Sequence, residues 1–252
     1  MTPGEQRRAQ ILARLQTDAR LSVADLAGIF RVSDETVRRD LKELEDRGLL
    51  RRVHGGAVMA SLIEGRSHGD RSKVQRSAKE RIAAKALTFV RPGMSLFVDY
   101  GTTTQAFGRR LAGFDNLTVM TSSLPLAQHL AETTPHRVIL TGGVLEAADS
   151  AVIGEAAHEM VRNHFFDLAV LGTRAIDAEH GFMDYREDDS VLLRLLVRHA
   201  RFRVMLADST KFGRQAFVRT FGLEAVDALV TDRMPPPEFR EALERAKVQL
   251  LV

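Results

Sequence analysis

Apolar residues recur at helical spacing through the first part of the chain. In "EQRRAQILARLQ" the isoleucine and both leucines fall on one side of a helix, which is therefore expected to be buried. The segment "RLSVADLAGIF" follows, and Ser22 with Asp25 three residues later is a capping-box pattern that predicts a helix from Val23. Leu26 and Phe30 then share one face of this helix. The pattern predicts two amphipathic helices in succession.

A third helix is predicted from Ser33 to about Arg47, after the short break "RVS". Ser33 can cap this helix, and the acids that follow occupy its first turn, where they favour the helix dipole. Val37, Leu41 and Leu44 lie on one side of the helix, which is expected to face the core. The remaining arc is basic near its N-terminus and carries Glu35, Thr36, Arg38, Arg39 and Lys42.

Two helices joined by a short turn form a helix-turn-helix, and the segment "LLRRVHGGA" behind them alternates enough to predict a β-wing. A small helical bundle with a solvated basic face is the alternative. The order of helix, tight turn, capped basic helix and basic wing favours a surface for double-stranded DNA. The predicted DNA-binding residues are Ser33, Glu35, Thr36, Arg38, Arg39, Lys42, Arg51, Arg52 and His54.

The chain changes character after this segment. Residues 1–57 are predicted to form the winged helix-turn-helix domain, and the polar residues 58–78 a linker. From residue 79 to residue 252 a helix, "AKERIAAKALTFV", precedes β-prone runs that alternate with helical patterns, which predicts an α/β domain with a Rossmann-like parallel sheet and helices on both faces. The predicted strands are "MSLFVD", "LTVMT", "RVILT", "LAVLG", "RVMLAD" and "ALVTD", with "VQLLV" as a final edge strand.

Polar residues follow these strands repeatedly, at the edge where open α/β sheets bind ligands. The segment "DYGTTT" offers a close backbone turn and three hydroxyls at a helix N-terminus, which attracts anions, and Lys211 could add a charge. Turn and cap residues are the alternative reading of "GTTT". Five polar strand ends and a lysine together favour a small-molecule pocket, and the strand-end candidates are Asp99, Gly101, Thr102, Thr103, Thr104, Thr121, Ser122, Gly142, Gly143, Arg174, Asp208 and Lys211.

Composition narrows the choice of function. The chain has 252 residues, 44% of them hydrophobic, a net charge of +3 and no cysteine, which excludes disulfides, thiolate zinc sites and a cysteine nucleophile. No Walker A loop or G-x-G-x-x-G follows a strand, and we expect neither a cofactor nor a metal. No apolar run approaches the length of a membrane span, so we expect a cytoplasmic protein with no membrane partner.

The strings "SVADLAGIFRVSDETVRRDLKELEDRGLL" and "RRVHGGA" closely resemble the winged helix of DeoR-type bacterial transcriptional regulators. The resemblance continues through "DRSKVQRSAKERIAAKA", "LFVDYGTTT", "LTGGV", "FFDLAVLG" and "LADSTKFGR", and so covers nearly the whole chain. It implies a C-terminal domain similar to ribose-5-phosphate isomerase and CoA-transferase folds. It also implies a repressor that is released by a phosphorylated metabolite, such as glycerol 3-phosphate or a sugar phosphate. Because helix-turn-helix proteins use paired half-sites, at least a dimer is expected.

The sequence departs from the family's pattern at three places along the chain. Thr-Asn-Ser is usual where this chain has Thr121, Ser122 and Ser123, and a small residue with glycine is usual where it has Arg174 and Ala175. A glutamate and a lysine four residues apart are usual where it has Asp189 and Leu193, which adds Asp189 to the candidates for effector binding.

A second class of function is a sugar-phosphate isomerase or transferase with an appended DNA-binding module. An isomerase needs a carboxylate base and a cation that stabilises the enediolate, for which Asp99 or Asp208 and Lys211 are available. The shorter Asp189 and the missing lysine at Leu193 argue against turnover. The sequence therefore favours a regulator that is not an enzyme.

Overall fold

The computed structural model describes residues 3–17, 21–46, 50–53, 55–59 and 68–252. The chain divides into two compact units, Met1–Arg66 and Ser67–Val252. None of the helices in these described ranges is both long enough and apolar enough to cross a lipid bilayer.

The first unit is a winged helix-turn-helix, with its elements in the predicted order. They are α1 (Pro3–Thr17), β1 (Leu21–Ser22), α2 (Val23–Phe30), α3 (Asp34–Asp46), β2 (Leu50–Val53) and β3 (Gly56–Met59). The three strands pair antiparallel in the order β1-β3-β2. Ser22 caps α2, because its hydroxyl accepts the Asp25 N–H at 3.0 Å. The core combines the three helices with β1–β3 and includes Ile11, Leu15, Leu21, Val23, Leu26, Val37, Leu41, Leu44, Leu50 and Ala57.

Gly56 is required where β3 crosses β1. A Cβ atom at this position would lie 2.3 Å from the Leu21 carbonyl oxygen, which is inside van der Waals contact. The neighbouring Gly55 has φ +76°, in the left-handed region that glycine tolerates best, and its carbonyl accepts the Val23 N–H at 2.9 Å. The "GG" pair therefore turns the wing and lets it lie against the start of α2.

The second unit is built on a seven-stranded sheet in the order β15-β14-β12-β9-β4-β5-β6, and every neighbouring pair is parallel. These strands are β4 (Ser95–Val98), β5 (Thr118–Thr121), β6 (Arg137–Leu140), β9 (Phe166–Gly172), β12 (Ala200–Leu206), β14 (Ala228–Val230) and β15 (Gln249–Leu251). All seven coincide with predicted runs. The helices are α4 (His68–Lys73), α5 (Arg76–Ala86), α6 (Thr102–Gly108), α7 (Leu124–Thr133), α8 (Glu155–Arg162), α9 (Glu187–Leu196) and α10 (Pro237–Arg245).

Alternate residues of the strands feed two separate cores, as helices on both faces require. Leu96 and Val98 pack with α5, α6 and α7, whereas Phe97, between them, packs with α8, α9 and α10. The predicted α/β class with helices on both faces is confirmed.

Several elements differ from the sequence prediction. A hairpin of β7 (Val144–Glu146) and β8 (Ala151–Ile153) follows β6, and β10 (Ala175–Asp177), β11 (Gly181–Asp184) and β13 (Val218–Phe221) form a small antiparallel sheet. The prediction rested on strands that alternate with helices, whereas β7 with β8 and β10 with β11 are hairpins that have no helix between their strands. Helix α9 begins four residues before the apolar run "VLLRLL", because three acids at 187–189 occupy its first turn. Helix α4 and the start of α5 lie inside segment 58–78, for which a linker was predicted.

Candidate nucleic-acid interface and effector site

Helix α3 has one buried and one open side. Val37, Leu41 and Leu44 are at most 1% exposed, while Arg38, Arg39 and Lys42 are exposed on the other arc. Within the described ranges, no ion pair or hydrogen bond engages the side chains of these three cations. Their charge is therefore available to an external polyanion.

The start of α3 is held by the two hydroxyl residues of the candidate set. The Ser33 hydroxyl accepts the Thr36 N–H at 3.3 Å, and the two hydroxyl oxygens are 2.9 Å apart. Ser33 thus acts as the predicted cap, and Glu35 is exposed in the first turn. Both hydroxyls can exchange their mutual hydrogen bond for a phosphate oxygen.

The far side of α3 is fixed by a buried carboxylate. Asp40 is 2% exposed, and its two oxygens accept from Arg7 Nε at 2.5 Å and Arg8 Nη1 at 3.2 Å. Arg8 also lies 2.9 Å from Glu43. These ion pairs tie α1 to α3 and orient the basic arc, and the amphipathic pattern did not reveal them.

Of the three DNA-binding candidates in the wing, Arg52 is the one whose side-chain contacts are described. Arg51 lies in β2, and His54 falls outside the described residues. Arg52 is engaged by α3, because its N–H and Nε donate to the Glu45 carboxylate at 2.8 and 2.6 Å. The pair is largely exposed, so its contribution to stability is small. The Glu45 carboxylate therefore competes with any DNA phosphate for the Arg52 guanidinium.

In the sheet of the second unit the strand order reverses between β4 and β9, which makes this pair a topological switch point. From β4 the chain adds β5 and β6 on one side, then returns to place β9 and β12 on the other. Ligands of open α/β sheets bind at such a switch point, beyond the carboxyl ends of the strands. Asp99 joins the two strand ends, since its carboxylate accepts the N–H groups of Tyr100 at 2.8 Å and Gly172 at 3.0 Å. Burial raises the pKa of Asp99 to about 6, against the opposing effect of these two bonds.

The segment "GTTT" leads directly from this strand end into α6. The Thr104 hydroxyl is buried and donates to the carbonyl oxygens of Asp99 and Gly101 at 2.6 and 2.7 Å. Thr103 is also buried, whereas Thr102 and Gly101 are half-buried. Thr104 therefore braces the turn, and the accessible part of this segment is Gly101 and Thr102.

The candidates on β5 and β6 lie farther along the same edge. Thr121 accepts the Ser123 N–H at 3.0 Å, and the buried Ser122 hydroxyl has no hydrogen-bond partner among the described residues. Gly142 donates its N–H to the Met160 sulfur at 3.0 Å. Gly143 has φ +129°, and a Cβ atom there would lie 2.3 Å from a backbone oxygen of β8. The geometry of the hairpin therefore accounts for a glycine at position 143 without any ligand.

Three arginines surround one carboxylate beside the switch point. Asp149, in the turn of the β7–β8 hairpin, is bonded by Arg71 of α4 and by Arg174 at 3.1 Å, and Arg186 lies 3.7 Å away. Arg186 also reaches Glu146 at 3.4 Å. Burial followed by repulsion from Arg174 lowers the pKa of Arg71. Three guanidinium groups are thus concentrated around Asp149.

Two lysines, Lys211 and Lys79 of α5, lie near Asp208, which follows β12. Asp208 caps the turn after this strand by accepting the Thr210 N–H at 3.0 Å, and Lys211 follows it. Lys211 is half-buried, and within the described part of the chain its ammonium has no hydrogen bond and no ion pair. Burial lowers the pKa of Lys211 to about 8, and Arg174 adds to this effect although Asp208 opposes it. Lys79 donates to the carbonyl oxygens of Arg71 at 2.5 Å and Val74 at 2.7 Å, and burial also lowers its pKa.

Two further acids complete the cluster. Burial raises the pKa of Asp184 to about 7, against the attraction of Arg174. Burial likewise raises the pKa of Asp189, although its interaction with the Tyr100 hydroxyl opposes this effect. The candidates Asp99, Arg174, Asp189, Asp208 and Lys211 therefore influence one another electrostatically, whereas Gly142 and Gly143 belong to the other end of the edge.

Sequence reasoning missed six members of this cluster. They are Arg71, Lys79, Tyr100, Asp149, Asp184 and Arg186. Arg71 and Lys79 lie in "DRSKVQRSAKE", where the polar composition indicated a linker and the start of a helix. The others sit on short strands and turns, whose spacing carries no signal for a pocket.

A winged helix with an open basic face, followed by an α/β domain with charged groups at its switch point, defines a DNA-binding transcriptional regulator with a sensor domain. Residues 7–62 match the DeoR-like helix-turn-helix domain, and residues 74–233 match the DeoR C terminal sensor domain. The chain belongs to the DeoR family of transcriptional regulators.

Full-length relatives agree with this family. The chain is 33% identical over 245 residues to the glycerol-3-phosphate regulon repressor of Escherichia coli (strain K12), covering 97% of each chain. It is 36% identical over 252 residues to the HTH-type transcriptional regulator GlpR of Haloferax volcanii, covering 100% of this chain and 98% of that one. Within the family, the segments "STKFGRQAFV" and "VDALVTDRMPPP" look most like the glycerol-3-phosphate regulon repressor, in agreement with these relatives.

Among solved structures, similarity is found with ribose 5-phosphate isomerase A of Methanocaldococcus jannaschii, at a TM-score of 0.40 and 14% identity over 55% of each chain. A 4-hydroxybutyrate CoA-transferase of Porphyromonas gingivalis gives a TM-score of 0.43 at 13% identity, covering 69% of this chain and 52% of that one. No function is transferred from these distant matches.

Proposed function

We propose that the protein represses a carbohydrate or glycerol-phosphate catabolic operon by placing α3 in the major groove of its operator. The observation that carries this proposal is the arc of Arg38, Arg39 and Lys42, which is exposed and engaged in no ion pair of the described chain. Arginine can contact guanine edges with two hydrogen bonds or clamp phosphate. The protein acts as at least a dimer on paired half-sites.

The DNA contact is tested with full-length protein and a duplex selected from a random pool. Arg39→Ala should weaken binding by about 1–3 kcal/mol and relax specificity at one position if Arg39 reads a base. Arg38→Ala is compared in parallel, and Arg240→Ala, which removes an exposed arginine from α10, is the matched control. Unchanged affinity in both α3 variants would contradict this placement of the recognition helix.

The second part of the proposal is that a phosphorylated metabolite binds at the switch point and releases the repressor. Lys211 supports it, because a half-buried ammonium with no hydrogen bond in the described chain is stabilised by an incoming anion. Gly101 and Thr102 lie at the neighbouring strand end. The ligand must bind better to the DNA-free conformation, and a coupling of about 1–3 kcal/mol is typical.

Calorimetry with glycerol 3-phosphate and a panel of sugar phosphates tests the effector site. Lys211→Ala should lose affinity for the ligand and keep its affinity for DNA, which in a cell gives a repressor that is no longer released. Lys85→Ala, on an exposed face of α5, is the matched control. If no phosphorylated compound binds the wild type, or if Lys211→Ala binds equally well, the proposed site is wrong.

We further propose that the sensor domain does not turn over its ligand. Two observations support this proposal. Both carboxyl oxygens of Asp99 accept backbone N–H groups that join β4 to β9, and Leu193 stands in α9 where the family pattern has a lysine. Sustained conversion of ribose 5-phosphate by the purified protein would establish the alternative, an isomerase with a DNA-binding module.

A further inference from the structure

Arg174 carries hydrogen-bonding capacity that the protein itself does not use. A guanidinium has five N–H donors, and Arg174 makes one hydrogen bond in the described part of the chain, to Asp149 at 3.1 Å. Its side chain is 19% exposed, so the group is partly desolvated yet still reachable. A partly buried arginine with free donors is suited to bidentate contact with an anion.

Arg174 and Lys211 lie on chain segments that run side by side. They follow β9 and β12, which are parallel neighbours and are paired at Gly172 and Leu206. Beyond the strand ends the two segments stay together, because Ile176 forms a parallel bridge with Phe212 and accepts the Gly213 N–H at 3.0 Å. Arg174 and Lys211, both with unused N–H donors, are therefore brought to the same edge of the sheet by two neighbouring segments.

The contacts of Asp149 indicate which kind of anion Arg174 and its neighbouring arginines bind. Its carboxylate is held by Arg71 and Arg174 and lies near Arg186, so three guanidinium groups converge on one acid. A carboxylate supplied by a ligand has the same charge and the same two oxygens. Such a group can share these arginines or take the place of Asp149.

We propose that the effector is a phosphorylated carboxylic acid, whose phosphate is bound by Lys211 and whose carboxylate is bound by Arg174. This inference rests on the proposed function, in which a phosphorylated metabolite binds at the switch point. It adds that a second anionic group is recognised, and it makes Arg174 the residue that determines specificity. A ligand with a phosphate and neutral hydroxyls adds no second charge-assisted contact at Arg174.

The test compares pairs of ligands that differ in the acid group. Calorimetry on the full-length protein uses glycerol 3-phosphate against 3-phosphoglycerate, and glucose 6-phosphate against 6-phosphogluconate. The acid of at least one pair should bind about tenfold more tightly or better, as expected for one added charge-assisted hydrogen-bonded pair. In Arg174→Gln the preference for the acid should disappear, while the affinity for the phosphate compound without a carboxylate is retained. Arg174→Lys should restore part of the preference, and Arg240→Gln should behave as the wild type.

The outcomes separate the two proposals. If the wild type binds both members of every pair equally, or prefers the phosphates without a carboxylate, the acid proposal fails and the proposed effector site survives. An equal preference for acids in wild type and Arg174→Gln shows that Arg174 is not the determinant and also overturns the inference. If no compound binds, the effector site fails and this inference falls with it. The wild-type comparison is decisive even where Arg174→Gln does not fold.

Discussion

Replacing Lys211 by methionine should stabilise the sensor domain, because the wild type holds a half-buried ammonium without a partner in the described chain. Methionine keeps the apolar stem of the lysine and removes only the charge. Burial lowers the pKa of Lys211 from its ordinary value of 10.5 to about 8. A shift of that size corresponds to about 3 kcal/mol, and because part of the side chain remains in water we expect about 2 kcal/mol.

The pH dependence of this gain has a defined sign. Above pH 8 the native state gives up the Lys211 proton while the unfolded chain still holds it. The free energy of unfolding of the wild type therefore rises with pH between about 8 and 10.5. The methionine variant lacks this rise. Its advantage should be constant below pH 8, should fall by about 1 kcal/mol by pH 9, and should vanish towards pH 10.5.

Urea denaturation followed by tyrosine fluorescence isolates the relevant unit. The chain has no tryptophan and two tyrosines, Tyr100 and Tyr185, both in the sensor domain. Lys85→Met removes an exposed lysine from the same domain and serves as the matched control. The reasoning is refuted if Lys211→Met is no more stable than the wild type at pH 7. It is equally refuted if the difference between the two proteins does not change from pH 7 to pH 9.5.

Two further predictions concern the winged helix. Gly56→Ala should destabilise this unit by about 2 kcal/mol or more in thermal unfolding, because the new Cβ atom meets the Leu21 carbonyl oxygen. Gly28→Ala, within helix α2, has open space around the new Cβ atom and should stabilise the unit by about 0.5–1 kcal/mol. Equal melting temperatures of the two variants would contradict this prediction. Glu45→Gln should weaken the ion pair that holds Arg52 and free its guanidinium for one extra phosphate contact. The slope of the logarithm of the DNA-binding constant against the logarithm of salt concentration should then become steeper by about 0.9. An unchanged slope in a salt titration would mean that Arg52 does not contact DNA.

The parts that were predictable from the sequence are those set by local periodicity. The buried side of α3 follows from the spacing of Val37, Leu41 and Leu44. The cap at Ser22 predicts the first residue of α2, Val23, correctly. The parallel strands were predictable because each is an apolar run bounded by a polar end. In both cases the residues that carry the signal are neighbours in sequence.

The effector edge could be predicted only in part. Asp99 follows β4 and Lys211 follows β12, and the positions of both residues at the carboxyl edge come from the fold rule for parallel sheets. Asp149 and Arg71 could not be found, since their ion pair joins residues 78 positions apart through a hairpin and a six-residue helix with no distinctive pattern. Long-range charge pairing leaves no periodicity in a single sequence.

The hydrogen bond from the Gly172 N–H to Asp99 has a consequence for how the protein is made. It joins residues 73 positions apart, at the central seam of the sheet. During synthesis β4, β5 and β6 leave the ribosome first, and β4 then presents an unpaired edge with the apolar side chains of Leu96, Phe97 and Val98 until β9 has been translated. Pairing over such a distance is slow, and open strand edges promote association between chains. We therefore expect chains that stop before residue 172 to aggregate rather than to fold.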